Sequence, residues 1–415
     1  MPKPLNNTEN NLNTNRIKDL IKKYSPPFWV YDADIIYKKI NLLRKFDVIR
    51  FAQKSCSNIN ILRLMKNKNV KIDAVSLGEI ERALLSGFKP STNEIIFTAD
   101  ILDKETLLKV AKYKIPVNAG SLDMLKQLGK ISPGHHVWLR INPRFGYGHS
   151  KKTNTGGENS KHGIWHPEQA IPIIKKYKLK LIGLHMHIGS GVNYLHLKKV
   201  SQAMIKYAFQ LNQKISSISV GGGLPIPYKF NDQPIDIKKY FMLWDIARKK
   251  ISKFLGEKIE LEIEPGRFLV AESGILISKV WATKKMGNKN FVLVDVGFND
   301  LMRPTMYGSY HHISVIYGDD RKMNEKETID TVVAGPLCES GDIFTQKEGG
   351  TVQTRKLPTI KVGDYLIFHD TGAYGAAMSS NYNTRPLIPE ILLKNNDSIV
   401  IRRRQTIEEI LNLEK

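Results

Sequence analysis

The chain is short of acids, nearly without cysteine, and has no long apolar run. Two cysteines, Cys56 and Cys338, cannot build a disulfide framework and fit a reducing cytoplasm. No apolar stretch approaches the roughly 20 residues of a membrane span, so no membrane partner is expected. The N-terminal stretch is rich in Asn and Lys and has no apolar centre, so no secretory signal is expected. Asp and Glu number 40 against 63 Lys and Arg, a formal charge of +23. That excess raises a nucleic-acid partner as a possibility. The lysines are scattered, however, as at Lys38/Lys39, Lys66/Lys68, Lys175/Lys176, Lys249/Lys250 and Lys284/Lys285. Arg402-Arg403-Arg404 is the one run of three arginines, and it lies in a strand-like segment. No stripe of cations interleaved with aromatics forms, so nucleic acid is not expected either; the field would favour anionic ligands.

What is present is an alternation. Strand-like runs fall at Val48–Gln53, Val70–Val75, Glu94–Thr98, Pro116–Ala119, His136–Ile141, Leu181–His187, Ile218–Gly221 and Ile259–Ile263. Helix-period segments separate them: Ile59–Lys66, Leu77–Leu85, Lys104–Ala111, Leu122–Leu128, Pro167–Tyr177, Leu195–Lys214 and Ile237–Leu255. Strand–helix alternation predicts a parallel sheet, and eight strands over roughly 220 residues is the count of a (β/α)8 TIM barrel. A doubly wound open sheet is the alternative, but no G-x-G-x-x-G follows the first strand. Past Pro265 the pattern changes to short strands at Ile275–Val280, Phe291–Val296, Thr328–Ala334, Tyr365–Phe368, Ile388–Leu393 and Ser398–Ile401. This predicts a C-terminal all-β domain over residues 268–415, completed by an N-terminal strand within residues 26–33 (Phe28–Tyr31), and a barrel over residues 34–267. Residues 1–25 read as a mobile arm followed by a short helix, Arg16–Lys23. The Gly-rich segment Thr153–Ser160 reads as the longest loop after a strand, the kind that serves as a lid.

The chemistry-bearing residues fall at strand ends, where barrel loops converge. Lys54 stands where the first barrel strand stops; such a lysine is either a solvated terminator or a nucleophilic amine able to form a Schiff base. His185 and His187 alternate at the sixth strand, ahead of Ser190; they could be a metal pair, an imidazole on a flat cofactor ring, or barrel-wall histidines. No further ligand cluster recurs at the other strand ends, so no metal is expected. Gly221-Gly222-Gly223 follows the seventh strand, where backbone N–H groups reach a phosphate. Glu264-Pro-Gly266-Arg267 follows the eighth and offers an acid, a turn and an arginine. In the β domain, Cys338-Glu339 pairs a thiol with a carboxylate, Gly372-Ala-Tyr374-Gly375 puts a phenol on a turn, and Arg303 and Tyr307 share a loop.

The ordered set of Lys54, Asp73, Glu79, His187, Ser190, the glycine triplet, Glu264-Pro-Gly266-Arg267, Cys338-Glu339 and Tyr374 resembles the pyridoxal-phosphate fold-type III decarboxylases. The likeness runs from about Phe28 to Glu409, and the ordered set is far more specific than any member. It departs in reading Ser55-Cys56-Ser57-Asn58 after the lysine, where Ala-Asn is usual, and His162 before Gly163, where Phe often stands.

The resemblance implies pyridoxal 5'-phosphate as cofactor and an alanine-racemase-like barrel with a β domain. It implies that Lys54 bonds the cofactor and His187 stacks on its ring. Asp73 and Glu79 belong to the same cofactor site, and Glu264 pairs with the ring nitrogen. Ser190, Gly222, Gly223, Gly266, Arg267 and Tyr374 are implied cofactor contacts, chiefly to its phosphate. Arg267, Arg303 and Tyr307 are implied to bind a substrate carboxylate, with Tyr374 nearby, and Glu339 to bind the distal ammonium. Cys338 is implied to protonate the product carbon from the partner subunit, which makes the enzyme a homodimer with shared sites. Arginines beside Glu339 suit a small amino acid zwitterionic at its far end, meso-2,6-diaminopimelate, rather than ornithine or arginine. An amino-acid racemase, a metal-dependent barrel hydrolase and a non-catalytic cofactor carrier are the competing classes.

Overall fold

The computed structural model describes residues 12–321 and 327–415; the expected N-terminal arm lies, up to residue 11, outside them. Its first elements are α1 (Thr14–Tyr24), β1 (Phe28–Asp32) and α2 (Ala33–Leu42). Asn13 caps α1 by accepting from the Arg16 N–H, and Ile17, Leu20 and Ile21 form its buried stripe.

Eight parallel strands follow: β2 (Val48–Ala52), β3 (Lys71–Ala74), β4 (Ile95–Ala99), β5 (Val117–Ala119), β6 (His136–Arg140), β7 (Lys180–His185), β8 (Ser217–Ser219) and β9 (Glu260–Ile263). They close into a barrel, with β2 pairing β9. The intervening helices are α3 (Ile59–Asn67), α4 (Leu77–Leu85), α5 (Lys104–Tyr113), α6 (Leu122–Ile131), α7 (Ala170–Lys176), α8 (Tyr194–Leu211) and α9 (Ile237–Leu255). Most begin on a side-chain cap: Asn58, Ser76, Asp103, Ser121, Asn193 and Asp236 each accept a first-turn N–H. The seam between first and last strands carries an ion pair. Arg50 on β2 meets Glu262 on β9 at 2.6 Å, with both side chains buried. A paired, hydrogen-bonded charge is tolerated there; either partner alone would be costly.

After α10 (Arg267–Val270) come β10 (Gly274–Met286), β11 (Lys289–Val294), α11 (Arg303–Tyr307), β12 (Ile313–Ile316), β13 (Thr328–Ala334), β14 (Arg355–Pro358), β15 (Tyr365–Phe368), β16 (Glu390–Lys394), β17 (Asp397–Arg402) and α12 (Ile407–Leu411). These strands and β1 form one mixed sheet in the order β14-β13-β11-β10-β1-β16-β17, with β15 pairing β10 and β12. The N-terminal strand is therefore central: β1 runs antiparallel to β10 and parallel to β16. Phe28 and Val30 share a core with Ile275, Ile277, Ile367 and Ile391, and α1 covers that core through Ile17 and Leu20. Two compact units result. One holds the described residues up to Ile36, Pro227–Gln233 and Val270–Lys415; the other holds Tyr37–Ile226 and Pro234–Leu269.

The sequence reading missed β12 and β14. Among the described residues each pairs with a single strand, and β14 reads Arg-Lys-Leu-Pro. An edge strand needs little apolar surface and tolerates proline, so its composition carries a weak signal. The arginine run is largely consumed within its own unit. Arg402 pairs with Glu390 at 3.0 Å, Arg403 bonds Glu409, and Arg404 donates to the Pro27 carbonyl at 2.8 Å.

Because Phe28 is fully buried in the strand that joins β10 to β16, Phe28→Ala is expected to cost about 3–5 kcal/mol. Urea unfolding of the variant measures this, and a loss under about 1 kcal/mol would contradict the central place given to β1.

Candidate active site

The barrel interior is polar on strand after strand. Arg50, Asp73, Thr98, Asn118, Arg140, His185, Ser219 and Glu262 are all buried. Strand alternation puts such residues on one face, and in a closed barrel their polar atoms can be satisfied only by one another or by a ligand.

Glu264, just past β9, is the centre of this network. His185 Nε2 donates to one carboxylate oxygen at 2.8 Å, and Ser219 Oγ donates to the other at 2.7 Å. Burial alone would raise the carboxyl's pKa, but His185, Ser219 and the more distant Arg50 cation overcome it and hold the group below its ordinary value. Asp73 goes the other way. Burial first, then the neighbouring Glu264 charge, push it up, against a hydrogen bond from Thr98 and the Lys54 cation. Two carboxyl groups in one site thus have opposite preferences, one ionised and one protonated.

His187 lies two residues beyond the end of β7 rather than within it. It is held well below its ordinary value, first by burial and then by the Lys54 and Arg140 cations, so it presents a neutral ring. Lys54 sits in a short turn, Gln53–Ser55, immediately past β2, and its side chain is exposed. Its charge is felt by Asp73, Glu79 and His187, which places these groups around one strand-end mouth. Glu79 accepts the Val75 N–H at 2.8 Å and is raised by burial.

One part of the mouth is lined by backbone. Gly222, Gly223 and Gly266 carry N–H groups with no hydrogen-bond partner among the described residues. Gly223 has φ +90°, and a Cβ there would stand 2.4 Å from the Gly189 carbonyl oxygen, so only glycine fits. Arg267 Nη2 donates to Ser190 Oγ at 2.8 Å, which leaves the hydroxyl hydrogen for another acceptor. The expected lid, between β6 and α7, is laced to the segment that carries His187. Tyr147 and Thr155 N–H groups both donate to the Ile188 carbonyl, at 3.1 and 3.0 Å, and Ser190 N–H donates to the Thr153 carbonyl at 3.2 Å. Gly189 permits this: a Cβ would stand 1.8 Å from the Tyr147 carbonyl oxygen.

In the β unit, Arg303 and Tyr307 lie on α11, and Thr305 Oγ1 ties that helix to the Gly341 carbonyl at 3.1 Å. Gly341 ends the turn bearing Cys338 and Glu339, whose side chains are exposed. Asp342 anchors the turn by accepting the Leu337 and Phe298 N–H groups. Tyr374 follows β15 with left-handed backbone, φ +57°.

Sequence reasoning weighed His185 as a metal or cofactor ligand and did not see Ser219, Thr98 or Arg140. His185 is instead the partner of Glu264. Among the described residues no group of three or more His, Cys, Asp or Glu is placed to hold a metal ion. The legible signal was a polar residue within or at the end of each short barrel strand. His162, standing where Phe is usual, bonds Asp100 through Nδ1 at 2.5 Å, and Asp100 is lowered despite burial.

The residues fit pyridoxal phosphate on the barrel's own terms. Buried Asp73 Oδ1, His185 Nδ1 and Asn118 Oδ1 lack protein partners among the described residues, and the free glycine N–H groups make a phosphate cradle. Residues 33–271 match the family model described as pyridoxal-dependent decarboxylase, pyridoxal binding domain. The chain is 76% identical over 415 residues to the diaminopimelate decarboxylase of Buchnera aphidicola subsp. Schizaphis graminum, covering 100% of both chains. It superposes with a TM-score of 0.97 on a crystal structure of a diaminopimelate decarboxylase, at 58% identity over 100% of this chain and 99% of that one. The Helicobacter pylori diaminopimelate decarboxylase complexed with L-lysine matches at TM-score 0.84 and 31% identity, over 96% and 99% of the two chains.

Ser219→Ala removes one of the two donors to Glu264. Its carboxyl pKa should rise, and the acid limb of the turnover–pH profile should move to higher pH by on the order of one unit. An unmoved acid limb would show that Ser219 does not help to hold Glu264 ionised.

Proposed function

The chain belongs to the pyridoxal-dependent decarboxylases and, within them, to the diaminopimelate decarboxylases, and from that membership we propose how its residues divide the work of removing carbon dioxide from meso-2,6-diaminopimelate to leave L-lysine, the last step of lysine biosynthesis. Pyridoxal phosphate, when bound, supplies the ring that accepts the electron pair released as the carboxylate leaves.

The observation that carries this reading is Glu264. A carboxylate held ionised by His185 and Ser219 retains a proton on a ring nitrogen placed against it, which is what a strong electron sink needs. A racemase wants a weaker sink, so the same carboxylate argues against that class. Lys54 would be the amine that holds the cofactor, and the neutral His187 ring would lie against its ring. Asp73 and Glu79 flank the same mouth. Ser190, Gly222, Gly223, Gly266, Arg267 and Tyr374 take the phosphate. Arg267, Arg303, Tyr307 and Tyr374 receive the carboxylate that is not lost, and Glu339 binds the distal ammonium. Cys338 gives a proton to the carbon that carbon dioxide has left.

The Cys338 thiol is exposed within a single chain, which supports its service in the site of a second copy. We read the protein as a homodimer with shared sites, working in the cytoplasm. Among the described residues no helix is long and apolar enough to cross a membrane.

The decisive assay is release of lysine and carbon dioxide from meso-2,6-diaminopimelate by purified protein with pyridoxal phosphate. Lys54→Ala is the blank, with ornithine and arginine run in parallel. Product from diaminopimelate alone is expected; product from ornithine or arginine would overturn the reading of Arg303 and Glu339. Mixing inactive Lys54→Ala and Cys338→Ala chains should restore up to about a quarter of wild-type activity, because random exchange forms one intact site in half of the dimers. No recovery after verified subunit exchange would refute the shared site.

A further inference from the structure

We propose that His311 is a positioning residue for Arg303, fixing its guanidinium for the substrate carboxylate; this rests on the reading of Arg303 given above. Arg303 is 1% exposed and His311 is 2% exposed. An arginine N–H only donates, and the group stays charged. Arg303 Nη1 stands 2.7 Å from His311 Nε2, so that ring nitrogen must accept. His311 Nδ1 stands 2.8 Å from the His369 carbonyl oxygen, which also can only accept, so Nδ1 must carry the hydrogen. The two contacts independently demand the same neutral tautomer.

The rest of the pocket holds that arrangement. The Arg303 guanidinium lies 4.8 Å from the centre of the Tyr228 ring, and Tyr228 meets His311 edge-on at 5.5 Å. Arg355 donates to the His311 carbonyl, and its guanidinium covers Tyr310 at 4.1 Å. Ser314 Oγ and His369 Nε2 are 2.8 Å apart, which steadies the residue whose carbonyl receives His311. A neutral acceptor takes one N–H of the guanidinium and sets its plane without adding a negative charge. An arginine oriented by a carboxylate would have its charge offset before any substrate arrived. The ring therefore fixes the fork and, being neutral, adds no counter-charge of its own.

L-lysine retains the carboxylate assigned to Arg303, so its affinity for the holoenzyme, measured by titration calorimetry, reads the contact without turnover. KM and kcat for meso-2,6-diaminopimelate are measured alongside. His311→Asn can keep a bond to the His369 carbonyl but falls short of Arg303; His311→Gln brings an amide oxygen to the place of Nε2. His311→Asn should weaken lysine binding and raise KM by about tenfold, with a smaller effect on kcat, and His311→Gln should recover most of the loss. Wild-type affinity in His311→Asn, or His311→Gln as weak as His311→Asn, overturns the proposal. Arg303→Lys tests the underlying reading. Unchanged lysine affinity there removes Arg303 from the substrate site, whereas affinity lost there but kept in His311→Asn removes only the role of His311.

Discussion

A carboxylate buried in a barrel stays ionised only while donors hold its oxygens, and Glu264 has a donor on each, His185 and Ser219. Much of the barrel's polar interior follows from that requirement. His185 stands on β7 and Ser219 on β8, two paired strands of which β8 pairs with β9, and both reach the carboxylate just past the end of β9. Arg50 adds a fixed positive charge across the seam while being neutralised locally by Glu262. Asp73, one barrel position farther on, then cannot easily ionise beside Glu264 and is pushed toward its protonated form. One group's ionisation is thus bought with three neighbours and a constraint on a fourth.

The β unit solves a related problem with a cation. Arg303 is almost wholly buried, yet the role proposed for it requires a charge available to substrate. Its setting on α11 puts Tyr228 across its face and a neutral imidazole at its edge. The Cys338-Glu339 turn is of the opposite kind. Its side chains are exposed while its backbone is fixed by Asp342. Rigid backbone under exposed reactive groups is the arrangement that lets a loop act without wandering.

Fold and site were legible in the sequence to different depths. Eight apolar runs separated by capped, amphipathic helices specify a closed parallel barrel almost by themselves, because period and order are both local signals. The residues at strand ends were legible for the same reason: Lys54, the glycine triplet and Glu264 are found by counting strands. The partners of those residues were not. His185 looked like half of a histidine pair with His187, but β7 ends between them, and their surroundings differ. One is tied to a carboxylate; the other is a neutral ring among cations. Ser219, Thr98 and Arg140 are common residue types whose meaning comes only from barrel closure. Edge strand β14 escaped because pairing on one side asks little of composition, whereas β12, Ile-Ser-Val-Ile, is apolar but only four residues long.

The positive charge of the chain gains a partial physical reading from the same comparison. The compact arginine run is engaged within its own unit, Arg402 with Glu390, Arg403 with Glu409 and Arg404 with a carbonyl. The cations of the proposed site are instead single: Lys54 at the mouth, Arg140 within the barrel, Arg267 on Ser190 and Arg303 on His311. Each is placed where a phosphate or carboxylate could be received. Net charge therefore describes the surface and its long-range pull on anions, whereas the proposed selection of one amino acid over another is assigned to individually placed cations.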